Sequence, residues 1–134
     1  MAKTSVSKYY EGIGRRKTST ARVRVFEGAS ASSVNLKPVE EYFALKTLVG
    51  KTMRPFVVTD QIGKLYFTAK VTGGGINGQA DAVKLGVARA LVKMDPLLKT
   101  VLRKEDLLIR DPRMVERKKY HHIKARKKPQ FSKR

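Results

Sequence analysis

A chain of 134 residues with 41% hydrophobic residues has the size and apolar content for one compact domain plus tails. Its 30 Lys and Arg against 11 Asp and Glu give a formal net charge of +19, which calls for a polyanionic partner. The lack of cysteine excludes disulfide scaffolds and thiolate zinc sites, and no apolar run approaches membrane-spanning length.

Residues 1–8 are polar, lack the apolar stretch of a secretory signal, and are expected to be a flexible N-terminus. A short strand is expected over Tyr9 to Gly14. Thr18 to Phe26 then alternates, with Ala21, Val23 and Val25 on one face and Thr20, Arg22 and Arg24 on the other, which predicts a strand with one apolar and one basic side. Residues 27–36 carry the small polar residues of a turn or loop. Pro38 suits the first turn of a helix whose apolar side is Val39, Tyr42, Phe43 and Leu45, and residues 44–51 are expected to add a second short helix. Pro55 to Asp60 reads as a strand, Gln61 to Lys64 as a hairpin turn, and Leu65 to Thr72 as the next strand.

Gly73 to Gly75 break that strand. Asn77 is the expected N-cap of the best helix, Gly78 to Met94, with Ala80, Val83, Val87, Leu91 and Met94 as its buried stripe. Asp81 in its first turn and Lys93 near its end suit the helix dipole. Asp95-Pro96 stops it and opens another helix, about Pro96 to Arg103, and Leu107 to Arg110 reads as a last brief strand. The expected body therefore spans residues 9–110, an α/β (α+β) sandwich of one mixed sheet with helices on one face. Residues 111–134 lose the hydrophobic period and form an extended basic C-terminal arm. The segment 110–134 holds eleven basic and two acidic residues, so it can be ordered only by a counter-charge from outside.

Sites of chemistry are sparse. Gly73 to Gly78, GGGING, matches G-x-G-x-x-G between a strand and a helix, but no second strand with an acid follows, as a dinucleotide fold requires. The competing reading is a tight connection whose N–H groups face an RNA phosphate. Gly50-Lys51-Thr52 resembles the end of a P-loop, yet Leu45 stands where the earlier glycine belongs. His121 and His122 are adjacent and could not both face one metal from a regular helix; they suit stacking on bases or bonding to phosphates. No nucleophile–base pair or carboxylate pair stands out, so neither an enzyme nor a cofactor is expected. The basic clusters are the strong signal: Arg15-Arg16-Lys17, Arg22 with Arg24, and the arm. Composition alone leaves RNA and DNA both open.

Three stretches go further. GRRKTSTARVRV (Gly14 to Val25), GGGINGQADAVKLGVARAL (Gly73 to Leu91) and RDPRMVERKK…KARKKPQFSKR (Arg110 to Arg134) resemble the bacterial-type ribosomal protein S-nine family of the small subunit, in order, spacing and total length. The resemblance implies a fold like the second domain of ribosomal protein S-five, with a left-handed βαβ crossover. It implies a structural constituent of the small ribosomal subunit bound in the head to the 3′ major domain of small-subunit rRNA, beside other head proteins, with no membrane partner. It also implies a C-terminal tip at the anticodon stem-loop of P-site tRNA. By position, Ser132, Lys133 and Arg134 would be that tip. Arg15, Arg16, Lys17, Arg22 and Arg24 would meet rRNA from the body, and Arg110, Arg113, Arg117, Lys118, Lys119, Lys124, Arg126, Lys127 and Lys128 along the arm. The expected location is a ribosome of the cytoplasm or of an organelle with bacterial-type ribosomes. A DNA-compacting protein would explain the charge but not the three stretches. An enzyme of the related kinase-like fold is favoured only by the glycine-rich turn.

Overall fold

The structure is a computed structural model and describes residues 8–133. The expected flexible N-terminus therefore lies outside the described residues except for Lys8, as does Arg134. Strands β1 (Tyr9–Arg16), β2 (Ser19–Glu27), β3 (Ser33–Val34), β4 (Lys37–Pro38) and β5 (Leu65–Thr72) form one sheet in the order β1-β2-β5-β3-β4. All pairs are antiparallel except β3 with β5. Helices α1 (Val39–Phe43) and α2 (Lys46–Val58) lie between β4 and β5 in the chain, and α3 (Ile76–Met94) and α4 (Leu98–Lys104) follow β5. The sheet is mixed and the fold is α+β, as the order of strand and helix patterns predicts.

Alternation does most of the work in the sheet. Ala21, Val23 and Val25 of β2 and Leu65, Phe67, Ala69 and Val71 of β5 are buried on one face, while Arg22 and Lys70 stand exposed on the other. The helices cover the apolar face. Helix α3 comes unusually close to β1 because both backbones are bare at the contact. A Cβ on Gly14 would sit 1.8 Å from the Ala82 carbonyl oxygen, and one on Gly12 would sit 2.1 Å from that of Gly86. Gly86 in turn seats Val23, whose Cγ2 a Cβ would meet at 2.6 Å. Three glycines thus set the distance between helix and sheet.

The buried side of α3 is wider than one stripe. Ala82, Leu85, Ala88 and Ala90 are buried along with Ala80, Val83, Val87 and Leu91. The helix touches the sheet on one side and α2 on another, so two faces must be apolar.

Six local expectations are corrected. Pro55 to Asp60 is not a strand but the end of α2 and its exit. Leu48, Thr52, Pro55 and Phe56 are buried at helical spacing, and Phe56 meets Phe67 of β5 with ring centroids 6.1 Å apart. Tertiary burial overrides the missing N–H of Pro55 and the β-branched run after it. Gln61 to Lys64 accordingly links a helix to a strand rather than two strands. The N-cap of α3 is Gly75, not Asn77, because Gly73 (φ 74°) and Gly74 (φ 65°) complete the turn sooner. Asp81 consequently lies beyond the first turn. Leu107 to Arg110 forms no strand; Leu107 is buried in the core and ties the end of α4 down through its N–H to the Leu102 carbonyl at 3.1 Å. The loop expected over 27–36 does hold a short piece of sheet, β3.

Candidate nucleic-acid interface

The sheet face away from the helices carries the first group of cations. Register places Glu11 opposite Arg24 and Arg22 opposite Lys70, so β1, β2 and β5 present a shared polar row. Glu11 holds Arg24 at 3.1 Å and Arg22 at 3.4 Å, in each case through Nε. The Arg24 guanidinium also lies over the Tyr9 ring, 4.8 Å from its centroid. One carboxylate between two guanidiniums orients them without cancelling their charge, which leaves their outer N–H groups for a phosphate. Arg15 is exposed on this same face of β1.

Arg16 points the other way. Its side chain is only 12% exposed, and its partners come from two distant parts of the chain, α3 and residues 111–113. The guanidinium reaches Asp111 at 2.8 Å and Asp81 of α3 at 3.5 Å, and Nη1 donates to the Arg113 carbonyl at 3.2 Å. Asp81 also meets Lys51 of α2 at 3.2 Å and Lys84 at 3.7 Å. Asp111 accepts from the Arg113 backbone N–H at 3.0 Å and from its guanidinium through both carboxylate oxygens. Those Arg113 hydrogen bonds hold the Asp111 carboxyl far below the usual carboxylate range. The cluster is a clasp: it fixes the first residues of the arm to the junction of β1, α2 and α3. Lys17, by contrast, is exposed in the hairpin turn with φ 53°.

Beyond the clasp, residues 111–133 contain no helix or strand. Arg117, Lys118, Lys119, Lys124, Lys127 and Lys128 are exposed, and Arg110 is half-buried at the arm's root. The arm is not uniformly extended. Arg126 reaches back to Glu116 with hydrogen bonds of 2.7 and 2.9 Å, and the Ile123 N–H donates to the Lys127 carbonyl at 2.7 Å. That pairing lowers the Glu116 carboxyl. His121 (φ 56°) and His122 lie in this bend; the His122 ring is tied by Nδ1 to the Tyr120 carbonyl at 2.8 Å. At the tip, Ser132 and Lys133 are exposed beside the 88%-exposed Phe131.

The glycine-rich turn is used internally. Ser19 of β2 donates to the Gly73 carbonyl at 3.1 Å, and a Cβ on Gly74 would come within 2.0 Å of the Ser19 oxygen. Gly73 and Gly74 adopt positive φ to let the hairpin tip pack there, so the turn reads as a junction between β2, β5 and α3. Among the described residues no strand follows α3, as a dinucleotide fold would need, and no three His, Asp or Glu side chains gather as a metal site. The chemistry on offer is charge, hydrogen bonding and stacking.

What the sequence reasoning missed is the clasp. Asp81 read only as a favourable charge on a helix, and Arg16 as one of three equivalent surface cations. Their pairing joins residues far apart in the chain, and no local pattern signals it. The one signal available was Asp111, one of only two acids in the basic segment 110–134.

Comparison with known proteins places the chain in a family. The signature of the family described as Ribosomal protein S9/S16 matches residues 14–134. Small ribosomal subunit protein uS9 of Pseudothermotoga lettingae is 50% identical over 128 residues, spanning 93% of this chain and 96% of that relative. With the match running from the hairpin through the helices into the basic arm, the chain belongs to the ribosomal protein S9/S16 family, a family of structural, non-enzymatic proteins.

Proposed function

We propose that this chain is a structural constituent of the small ribosomal subunit. In this reading it binds the 3′ major domain of small-subunit rRNA in the head, beside other head proteins, and its C-terminal tip contacts the anticodon stem-loop of P-site tRNA during translation. The observation that carries it is the arm: a stretch without helix or strand, studded with exposed cations, and rooted to the body by a built clasp. Such a segment gains its order from a phosphate backbone. The body over 9–110 acts as the anchor, and the arm over 111–134 runs along packed rRNA.

Within that reading the cations divide the work. Arg15, Lys17, Arg22 and Arg24 face outward from the body, and Arg117, Lys118, Lys119, Lys124, Lys127 and Lys128 from the arm. Arg16 and Arg113 serve mainly by setting where the arm leaves the body. Ser132, Lys133 and Arg134 contact the tRNA backbone without reading its sequence, which suits a site that accepts every tRNA. The mixed sheet with helices on its apolar face supports a fold like the second domain of ribosomal protein S-five.

Sedimentation tests the assignment. The native chain should travel with small subunits and stay there in moderate salt; finding it free, or on chromosomal DNA, would overturn the reading. Deleting residues 132–134 should leave assembly intact and loosen P-site tRNA. Failed assembly with normal tRNA binding by the residual subunits would show the roles wrongly assigned.

A further inference from the structure

The open face of the sheet holds a cleft of about 710 Å³ between β2, β5 and the β3–β4 turn. Arg22, Arg24 and Lys70 line it, and the acid nearest these cations is Glu11, which bridges the two arginines from β1. One wall is Leu36, whose place is costly on two counts. It is fully exposed, and it adopts φ 68°, a left-handed conformation that a side chain of this kind rarely takes. The preceding Asn35 shares the positive φ (48°), so both central residues of the turn are left-handed, the geometry that favours Gly at the second position.

The turn is held rigidly in this form. Asn35 Nδ2 donates to the Val71 carbonyl at 3.0 Å and its Oδ1 accepts from the Val71 N–H at 2.9 Å, while its own N–H donates to the Ala69 carbonyl at 2.8 Å. The side chain thus extends the edge of β5 like a further strand residue. Among the described residues nothing packs over the leucine that this arrangement displays. A strained, solvated apolar residue on a fixed turn at the rim of a cationic cleft is the mark of a contact made with something else.

The same face continues into an aromatic ladder. Phe26 stacks on Tyr66 (centroids 5.2 Å apart, planes at 16°) and leans on Tyr9 at 5.8 Å. Flat rings beside guanidiniums, on the sheet face that the helices leave open, form a platform for bases with phosphates held alongside.

We infer that this cleft and ladder are a second RNA site, which takes an unpaired strand: phosphates on Arg22, Arg24 and Lys70, a sugar or base against Leu36, and bases over the aromatic row. The inference rests on the rRNA-binding reading above and deepens it for Arg22 and Arg24, naming an unpaired strand as what the body's open sheet face takes. An acidic segment of a neighbouring protein would satisfy the cations but would leave the ladder unused.

Photocrosslinking in assembled small subunits separates the possibilities. A benzophenone side chain placed at Leu36 of the full chain should crosslink to an unpaired segment of small-subunit rRNA. A parallel probe at the exposed Tyr120 reports on the arm. If Tyr120 reaches rRNA while Leu36 yields a protein adduct, a duplex adduct or none, the cleft inference fails and the broader function stands. If neither probe reaches rRNA, both fail. Leu36→Gly gives an independent reading, because glycine relieves the left-handed backbone. The variant should melt at a higher temperature yet bind rRNA more weakly; unchanged affinity would overturn the inference. Lys70→Gln should lower the slope of log affinity against log salt by about 0.7, the effect of one phosphate contact on a single strand. An unchanged slope counts against it.

Discussion

Gly14→Ala puts the helix–sheet contact under the most direct strain. The new methyl carbon would lie 1.8 Å from the Ala82 carbonyl oxygen and 2.6 Å from the Gly86 nitrogen, both backbone atoms that cannot rotate away. Helix α3 would have to retreat by about 1.6 Å, the difference between 1.8 Å and an ordinary 3.4 Å contact. A radial gap of about 1 Å already forfeits up to half of each dispersion contact, and buried Ala82, Val83, Val87, Ala90 and Leu91 would all feel it. Overpacking of this kind costs about 1–3 kcal/mol, more where backbone meets backbone, so about 3 kcal/mol is expected. For a body of roughly 100 residues that lowers the melting temperature by about 12 °C or more, read by circular dichroism. Gly50→Ala is the control: on the exposed side of α2 a Cβ meets nothing within 4 Å, and the change should stabilise by about 0.5–1 kcal/mol. If Gly14→Ala melted within about 1 kcal/mol of the parent, the close approach of α3 to β1 would be wrong. The loss would also reach the arm, because the same displacement parts Arg16 on β1 from Asp81 on α3.

Further outcomes follow from the clasp and the core. Arg16→Met should leave the body folded but free the arm's root, so trypsin cleaves after Arg110 and Arg113 roughly three- to tenfold faster; equal rates would mean that the ion pairs do not hold it. Hydrogen exchange should show a pH dependence with a defined sign. Asp111 has a lowered carboxyl in the folded chain, so the clasp is intact above the ordinary carboxylate value near about 3.9 and opens only as pH falls below it. Opening between about pH 7 and 5 would contradict the assignment. Phe56→Ala removes a fully buried ring from the α2–sheet contact and should cost about 3–5 kcal/mol in chemical denaturation, whereas a strand at 55–60 would have left that ring elsewhere.

Much of the sheet was legible because burial on one side imposes a strict period of two. The strand Leu65–Thr72 has the bounds its alternation predicts, and β2 begins and ends one residue later than expected. Where packing and local preference disagree, the local signal misleads. Pro55 and the run Phe56-Val57-Val58-Thr59 read as a strand, yet Leu48, Thr52, Pro55 and Phe56 already stood at helical spacing. Gly12 and Gly14 read as the end of a strand; their spacing of two, on one face, was the trace of a helix lying against them. The charge of residues 110–134 was legible from composition, and the loss of hydrophobic period there goes with the absence of helix and strand over 111–133. The arm's root was not, because Arg16, Asp81 and Asp111 meet only in three dimensions. The leucine at positive φ was equally hidden, since Asn35-Leu36 has no turn signature in its second residue.

The central claim is that the body anchors a basic arm whose tip reaches tRNA, and a photoreactive side chain at Phe131 tests it most directly. In assembled small subunits with tRNA in the P site, the account predicts a crosslink from position 131 to the anticodon stem-loop, lost when that tRNA is absent. Adducts only to rRNA or to neighbouring proteins, unchanged by the presence of tRNA, would contradict it.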